Sequence, residues 1–235
     1  MGSRAALVGV GVGPGDPELL TLRAVRSVRE ADRVLAPSSA MDAVGRAESI
    51  VRQACAGVRI ERLVFAMGEA AGSVDDAART VVAGLDAGQR LAFVTLGDPN
   101  IYSTFSSVAA RVRELRPDAV VETVPGIMAF QDLAARSSTV VLRDTERLAL
   151  VTALDGPGAL EAALADPSQA VVVYKGGRHL PAMAKSLVSA GRLDGAVVGE
   201  LLGLPGERVV PVTEAAEGPA AYLATVIVPP AGRGG

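Results

Sequence analysis

The chain of 235 residues holds one cysteine, Cys55, one histidine, His179, and no tryptophan. So few ligands exclude a Cys/His zinc cage built within one chain and any disulfide framework, and they point to a reducing, cytoplasmic setting with no metal. Phe, Tyr and Trp together make up 3% of the residues, too few for base-stacking platforms, and a net charge of −3 argues against a phosphate-backbone binder; no nucleic-acid partner is expected. No apolar run approaches the ~18 to 20 residues of a membrane span, and no basic segment with an apolar core precedes Ala6, so no membrane association is expected either. The G-K-[ST] of a phosphate-cradling loop is also missing.

What the chain does have is apolar content, 49% of its residues, which is ample for a core. Its length suits two domains. Short β-branched runs alternate with Ala-, Leu- and Arg-rich amphipathic stretches, the pattern of a mostly parallel sheet covered by helices, so the fold class is α/β. Strands are expected near Leu7 to Val12, Arg33 to Ala36, Arg59 to Leu63, Leu91 to Val94, Val120 to Val124, Leu148 to Thr152, Ala170 to Tyr174, Gly195 to Val198 and Ala224 to Val228. Helices are expected at Leu22 to Glu30, Val74 to Gly84, Pro157 to Ala165 and Leu180 to Ala190. The polar stretch around Arg143 to Arg147 reads as a linker, dividing the chain into domains 1–143 and 144–235. The tail "PPAGRGG" reads as disordered.

Three strands of the first half run into Pro/Gly turns. In "ALVGVGVGPGDPELLTLRAV" the spacing refuses the G-x-G-x-x-G fingerprint, because the sixth position counted from Gly9 is Pro14 and from Gly11 is Asp16. What remains is a tight turn and a helix start, with Asp16 as candidate N-cap and Pro17 at the first helical position. In "LAFVTLGDPNIYSTF" an apolar strand meets Gly97-Asp98-Pro99, which offers close backbone approach and a carboxylate, followed by the hydroxyls of Tyr102, Ser103 and Thr104. Such a set suits a neutral or cationic ligand, although an ordinary capped helix start reads the same way. "VETVPGIMAF" repeats the logic at Pro125-Gly126. Because ligands of open α/β sheets sit at the carboxyl ends of strands, the three turns together describe a crevice lined by backbone groups.

"GVGPGDPELLTL", "TLGDPNIYST" and "VPGI", in that order and at that separation, resemble the S-adenosylmethionine-dependent tetrapyrrole methylase family. "VVVYKGGRHL" and "VVGELLGLPGERVV" extend the resemblance over nearly the whole chain, and G-D-P-x-I-Y-S-T is most similar to the precorrin-2 C20-methyltransferases of cobalamin and porphyrin biosynthesis. The resemblance implies two α/β domains with S-adenosyl-L-methionine in the cleft between them, S-adenosylhomocysteine as product, precorrin-2 or cobalt-precorrin-2 as substrate, and a homodimer. Carried over residue by residue, it places Pro14, Leu96, Gly97, Asp98, Ser103, Thr104, Gly126, Ile127, Met128 and Ala129 around the cofactor, with Tyr174, Lys175 and Leu202 in the second domain. The carboxylates of a tetrapyrrole need cations, for which Lys175, Arg178 and His179 form the best cluster. Proton removal after methyl transfer leaves Asp16 and Tyr102 as candidate bases, against plain readings as a helix cap and a packing residue. Cys55 reads as a small buried hydrophobe. A sister methylase acting on another carbon, a diphthine-type protein methylase and a nucleotide-binding module are the alternatives.

Overall fold

The computed structural model describes residues 5–65, 70–215 and 217–232. It divides into two compact units, Met1–Met128 and Ala129–Gly235. In the first unit β1 (Ala6–Gly11), α1 (Leu22–Arg29), β2 (Arg33–Ser38), α2 (Arg46–Ala54), β3 (Ile60–Val64), α3 (Ala70–Asp86), β4 (Arg90–Thr95), α4 (Thr104–Leu115) and β5 (Val121–Val124) follow one another. The five strands form a sheet in the order β3-β2-β4-β1-β5, parallel throughout. Every residue of β1 is buried, as a strand covered on both faces requires. Ala24 and Val28 of α1 and Ile50 and Val51 of α2 pack on one face, whereas Ala78 and Val81 of α3 and Val108 and Val112 of α4 pack on the other. The chain therefore leaves the adjacent strands β1 and β4 toward opposite faces. That arrangement opens a crevice beyond their carboxyl ends.

The start of α1 follows the sequence expectation in two steps. Asp16 caps a 3-10 turn at Pro17–Leu19, its Oδ1 accepting from Glu18 N at 2.8 Å, and the α-helix begins only after Thr21, whose Oγ1 accepts from Ala24 N at 3.1 Å. Cys55 sits in the apolar cluster beneath α1 and α2 at 1% exposure, and burial pushes its thiol above the usual range.

The second unit starts with α5 (Ala129–Arg136) and continues through β6 (Arg147–Thr152), α6 (Gly158–Leu164), β7 (Gln169–Tyr174), α7 (Leu180–Ser189), β8 (Val197–Glu200), β9 (Arg208–Pro211), α8 (Val212–Ala215) and β10 (Thr225–Val228). Leu133 of α5 is fully buried against Val172, Leu202 and Ile227, so this helix belongs to the second sheet. The division accordingly falls after Met128. The polar stretch expected as the linker is instead a tight turn within the second unit, where Arg143 N donates to Glu146 Oε2 at 2.6 Å before β6 begins.

That sheet runs β6-β7-β10-β8-β9. Only β6 and β7 are parallel; β10 lies antiparallel to both its neighbours, and β9 to β8. The tail differs from its expected disorder: Pro229 and Pro230 are buried, and the Pro229 carbonyl accepts from Nε and Nη2 of Arg192, a guanidinium left 4% exposed. Residues 233–235 of that tail lie outside the described residues.

One ion cluster is buried in the first unit. Glu48 of α2 has a fully buried side chain, with Arg62 Nε 2.6 Å from its Oε2 and Arg52 Nη2 2.7 Å from its Oε1. The hydrogen bond from Arg62 is the main reason its carboxyl titrates below the usual range, against the opposing effect of burial. A carboxylate depressed in the folded state contributes stability above the unfolded value of about 4.3, and that contribution is lost as pH falls through the folded value. Glu48→Gln should therefore cost on the order of 3 kcal/mol at pH 7. The deficit relative to wild type should shrink as pH drops below about 4, which urea titrations between neutral and acid pH would measure.

Candidate functional site

The three Pro/Gly turns singled out in the sequence follow β1, β4 and β5, which are neighbours in the sheet. Their closeness has a specific cause. The Gly97 carbonyl oxygen is wedged between Gly11 and Gly126: a Cβ on Gly11 would come within 2.5 Å of it, and a Cβ on Gly126 would overlap it outright. Gly97 itself is left-handed, with φ of 66°. Hydrogen bonds lock the same junction, from Gly97 N to Gly13 O at 2.8 Å, from Val12 N to Thr95 O at 2.9 Å and from Gly126 N to Asp98 Oδ2 at 3.1 Å. Asp98 Oδ1 also accepts from Asn100 N at 2.9 Å. One carboxylate oxygen thus closes its own turn and the other ties it to the turn after β5.

Other residues named from the sequence take defined places at this edge. Pro14 is buried in the bend after Gly13, and Leu96 packs on the cluster beneath α1. Ser103 is the N-cap of α4, its Oγ accepting from Phe105 N at 3.1 Å and lying 2.8 Å from the buried Thr95 Oγ1. Thr104 is exposed as the first residue of that helix. Tyr102 is 47% exposed and holds φ at 49°, a conformation that a bulky side chain adopts only where its surroundings impose it. Ile127 and Met128 are half-buried between Gly126 and the first residue of α5, Ala129, which is half-buried too.

In the second unit Tyr174, Lys175, Arg178 and His179 lie at the carboxyl end of β7, and Leu202 follows β8. The Tyr174 hydroxyl accepts from Phe130 N at 3.1 Å and so satisfies a free N–H in the first turn of α5. Lys175 follows with φ of 57°, half-buried, and burial pushes its amine below the usual lysine range. Gly177 gives close approach, but to this unit's own backbone: a Cβ there would overlap the Ala221 carbonyl oxygen. Arg178 Nε donates to His179 Nε2 at 3.0 Å, and its Nη2 donates to the Leu154 carbonyl. Leu202 is 5% exposed inside the apolar cluster under α5.

Sequence reasoning passed over Gly11 and Gly13 as members of the junction and Tyr174 as a helix cap. The glycines were legible as a cluster, whereas no local signal ties Tyr174 to Phe130, because that contact spans the chain from α5 to β7.

The junction separates two kinds of glycine. Gly126→Ala should lose on the order of 3 kcal/mol or more, because backbone on both sides blocks the added methyl. Gly97→Ala meets nothing within 4 Å and should cost only the left-handed conformation, about 1 to 2 kcal/mol. Thermal denaturation of the two variants checks this order, and equal losses would contradict it.

Comparison with known proteins agrees with this architecture. Residues 6–217 match the family model described as Tetrapyrrole (Corrin/Porphyrin) Methylases. The cobalamin biosynthesis protein CobIJ of Mycobacterium tuberculosis is 33% identical over 97% of this chain, which spans 47% of that longer protein. The precorrin-2 C(20)-methyltransferase of a Sinorhizobium species is 30% identical, over 95% of this chain and 94% of its own length. The crystal structure of uroporphyrin-III C-methyltransferase from Thermus thermophilus, complexed with S-adenyl homocysteine, superposes with a TM-score of 0.66 at 23% identity, covering 94% of this chain and 96% of its own. With the glycine junction, the doubly wound first sheet and the mixed second sheet in place, the chain belongs to the tetrapyrrole methylase family.

Proposed function

We propose that the chain is an S-adenosylmethionine-dependent C-methyltransferase that places a methyl group on C20 of precorrin-2 or cobalt-precorrin-2, acting as a homodimer in the cytoplasm. The observation that carries the reading is the nearly full-length match to the Sinorhizobium precorrin-2 C(20)-methyltransferase. The glycine junction supports it. Backbone and a carboxylate, with no cation among Pro14, Leu96 to Asp98 and Gly126 to Met128, make an edge that fits a ligand carrying a positive sulfonium.

When bound, S-adenosylmethionine supplies a methyl group already activated for transfer on that sulfonium. The protein's task is then to align and to exclude water, an effect worth up to about 7 to 11 kcal/mol. On this reading the turns at Pro14, Leu96 to Asp98 with Ser103 and Thr104, and Gly126 to Ala129 hold the cofactor, joined by Tyr174, Lys175 and Leu202. Asp98 serves it by keeping the β4 and β5 turns in register. Once it has gained the methyl group the acceptor carbon must lose a proton, which a base of this chain would take up. Tyr102 is the better placed of the two candidate bases, being exposed and held left-handed at this edge, whereas the Asp16 carboxylate caps the 3-10 turn. Lys175, Arg178 and His179 are proposed to meet substrate carboxylates with the donors that Leu154 leaves them.

The purified protein, incubated with methyl-labelled S-adenosylmethionine and either precorrin-2 or its cobalt form, should label C20, as read by NMR. Label at another carbon would make it a sister methylase, and label on neither substrate would sink the reading. Light scattering of the same sample should return twice the chain mass, and the mass of one chain would remove the homodimer.

A further inference from the structure

Among the described residues, Arg46 is the one arginine that is half-buried and makes neither an ion pair nor a side-chain hydrogen bond; Arg23, Arg26, Arg59, Arg113 and Arg143 also lack such partners but are exposed. Its surroundings make the residue costly. Arg46 is the first residue of α2, where the positive end of the helix dipole disfavours a cation, and Gly45 before it offers no side-chain cap. Partial burial disfavours its charge further and pushes the guanidinium below its usual range. Among the described residues neither acid of this segment pairs with it: Glu48 is committed to Arg52 and Arg62, and the charge of Asp42 acts on Arg62. Dipole, burial and lack of a partner all oppose the charge, and among the described residues none compensates it.

Its position supplies a reason. Arg46 ends the loop that follows β2, and β2 lies beside β4 in the parallel sheet, so this loop is on the carboxyl edge, one strand over from the glycine junction. The helix α2 packs against the 3-10 turn Pro17–Leu19 that closes the first glycine-rich loop. The loop is also firmly held. The Ser38 hydroxyl lies 2.7 Å from the carbonyl oxygens of both Ala40 and Ala43 and shares its one proton between them, Arg62 Nη1 donates to the Met41 carbonyl at 2.7 Å, and Gly45 fits closely against the Pro37 carbonyl. Held this way, it exposes two apolar side chains, Met41 at 68% and Val44 at 58%. A fixed loop that shows apolar surface beside an unpaired cation matches a large apolar ring bearing carboxylates.

We infer that Arg46 is a substrate-binding residue, which takes a carboxylate side arm of the tetrapyrrole while Met41 and Val44 border the macrocycle. The inference rests on the tetrapyrrole reading above and adds Arg46 to the cations proposed for the substrate carboxylates. A guanidinium pairs with a carboxylate through two parallel N–H···O bonds, and that pairing would offset the cost of keeping Arg46 half-buried.

The test compares wild type, Arg46→Gln, Arg46→Lys and, as an exposed control, Arg23→Gln. Binding of the polycarboxylate porphyrin uroporphyrin III is read by fluorescence, S-adenosylmethionine affinity by calorimetry, and stability by melting temperature. Arg46→Gln should weaken porphyrin binding tenfold or more and leave cofactor affinity within twofold, with the melting temperature unchanged or raised, since an uncompensated charge has been removed. Arg46→Lys should recover part of the binding, and Arg23→Gln should change nothing. Porphyrin binding within twofold of wild type, or a loss that tracks a fall in melting temperature, overturns the assignment. If wild type binds the porphyrin but methylates neither precorrin-2 form, the methylation reading fails while the Arg46 comparison still decides; if wild type binds no porphyrin, the Arg46 assignment fails and the labelling experiment alone decides the methylation reading.

Discussion

The first unit depends on a single steric constraint, the Gly97 carbonyl that fits only because Gly11 and Gly126 present bare backbone to it. Parallel strands carry their turns away separately, and nothing in sheet hydrogen bonding requires the turns after β1, β4 and β5 to meet. Here they meet because three residues without side chains allow main chain to touch main chain, after which the bonds to Gly13 O and Asp98 Oδ2 can form. A ligand edge made this way has little freedom to adjust, since its surface is backbone whose position the sheet dictates. Pre-organisation of that kind suits a reaction in which alignment is the main contribution asked of the protein.

Around this junction, charged side chains serve mainly to fasten loops. Asp98 holds the β5 turn, and Arg62 reaches past Glu48 to the Met41 carbonyl. In the second unit, Arg178 holds Leu154, Glu207 Oε2 accepts from Gly203 N at 2.6 Å, and Glu200 Oε2 accepts from Ala221 N at 2.7 Å. Each of these bonds joins an ionised group to a peptide group, a stronger contact than a neutral pair and one that fixes geometry. Exposed ion pairs such as Arg79 with Asp75 add little by comparison.

Much of this was legible in the sequence, for reasons that differ by element. Strands β1 and β4 read clearly because both their faces are apolar and a turn containing glycine and proline follows each. Helix α2 is weakly marked: its sequence RAESIVRQA carries three charged or hydroxyl residues before its last turn and a fourth, Arg52, within it, and only four of its nine residues are apolar. The strand β9, RVVP, is four residues long and sits behind a Pro-Gly turn, so neither length nor alternation marks it. The antiparallel half of the second sheet depends on where β10 inserts, which no local pattern records. At the site, the residue types were readable but their partners were not. Asp98, Ser103, Gly177 and Arg178 all have local structural work, and only distances distinguish a carboxylate held by a peptide N–H from one waiting for a ligand.

The order of strands in the second sheet bears on how the chain is made. Its central strand, β10, is the last of the chain's strands in sequence, and β6, β7, β8 and β9 are divided into two pairs until it arrives between them. The first unit has a milder form of this dependence: β4 joins β1 to the β2-β3 pair, and its final strand, β5, only adds at an edge. During synthesis the first sheet can therefore assemble once β4 has emerged, while the second waits for its last strand as two unjoined halves with apolar faces uncovered. Closure comes only when Thr225 to Val228 slide between β7 and β8 and the Pro229 carbonyl reaches the buried guanidinium of Arg192. A ribosome that stalled shortly before residue 225 would hold a finished first half and an open second one.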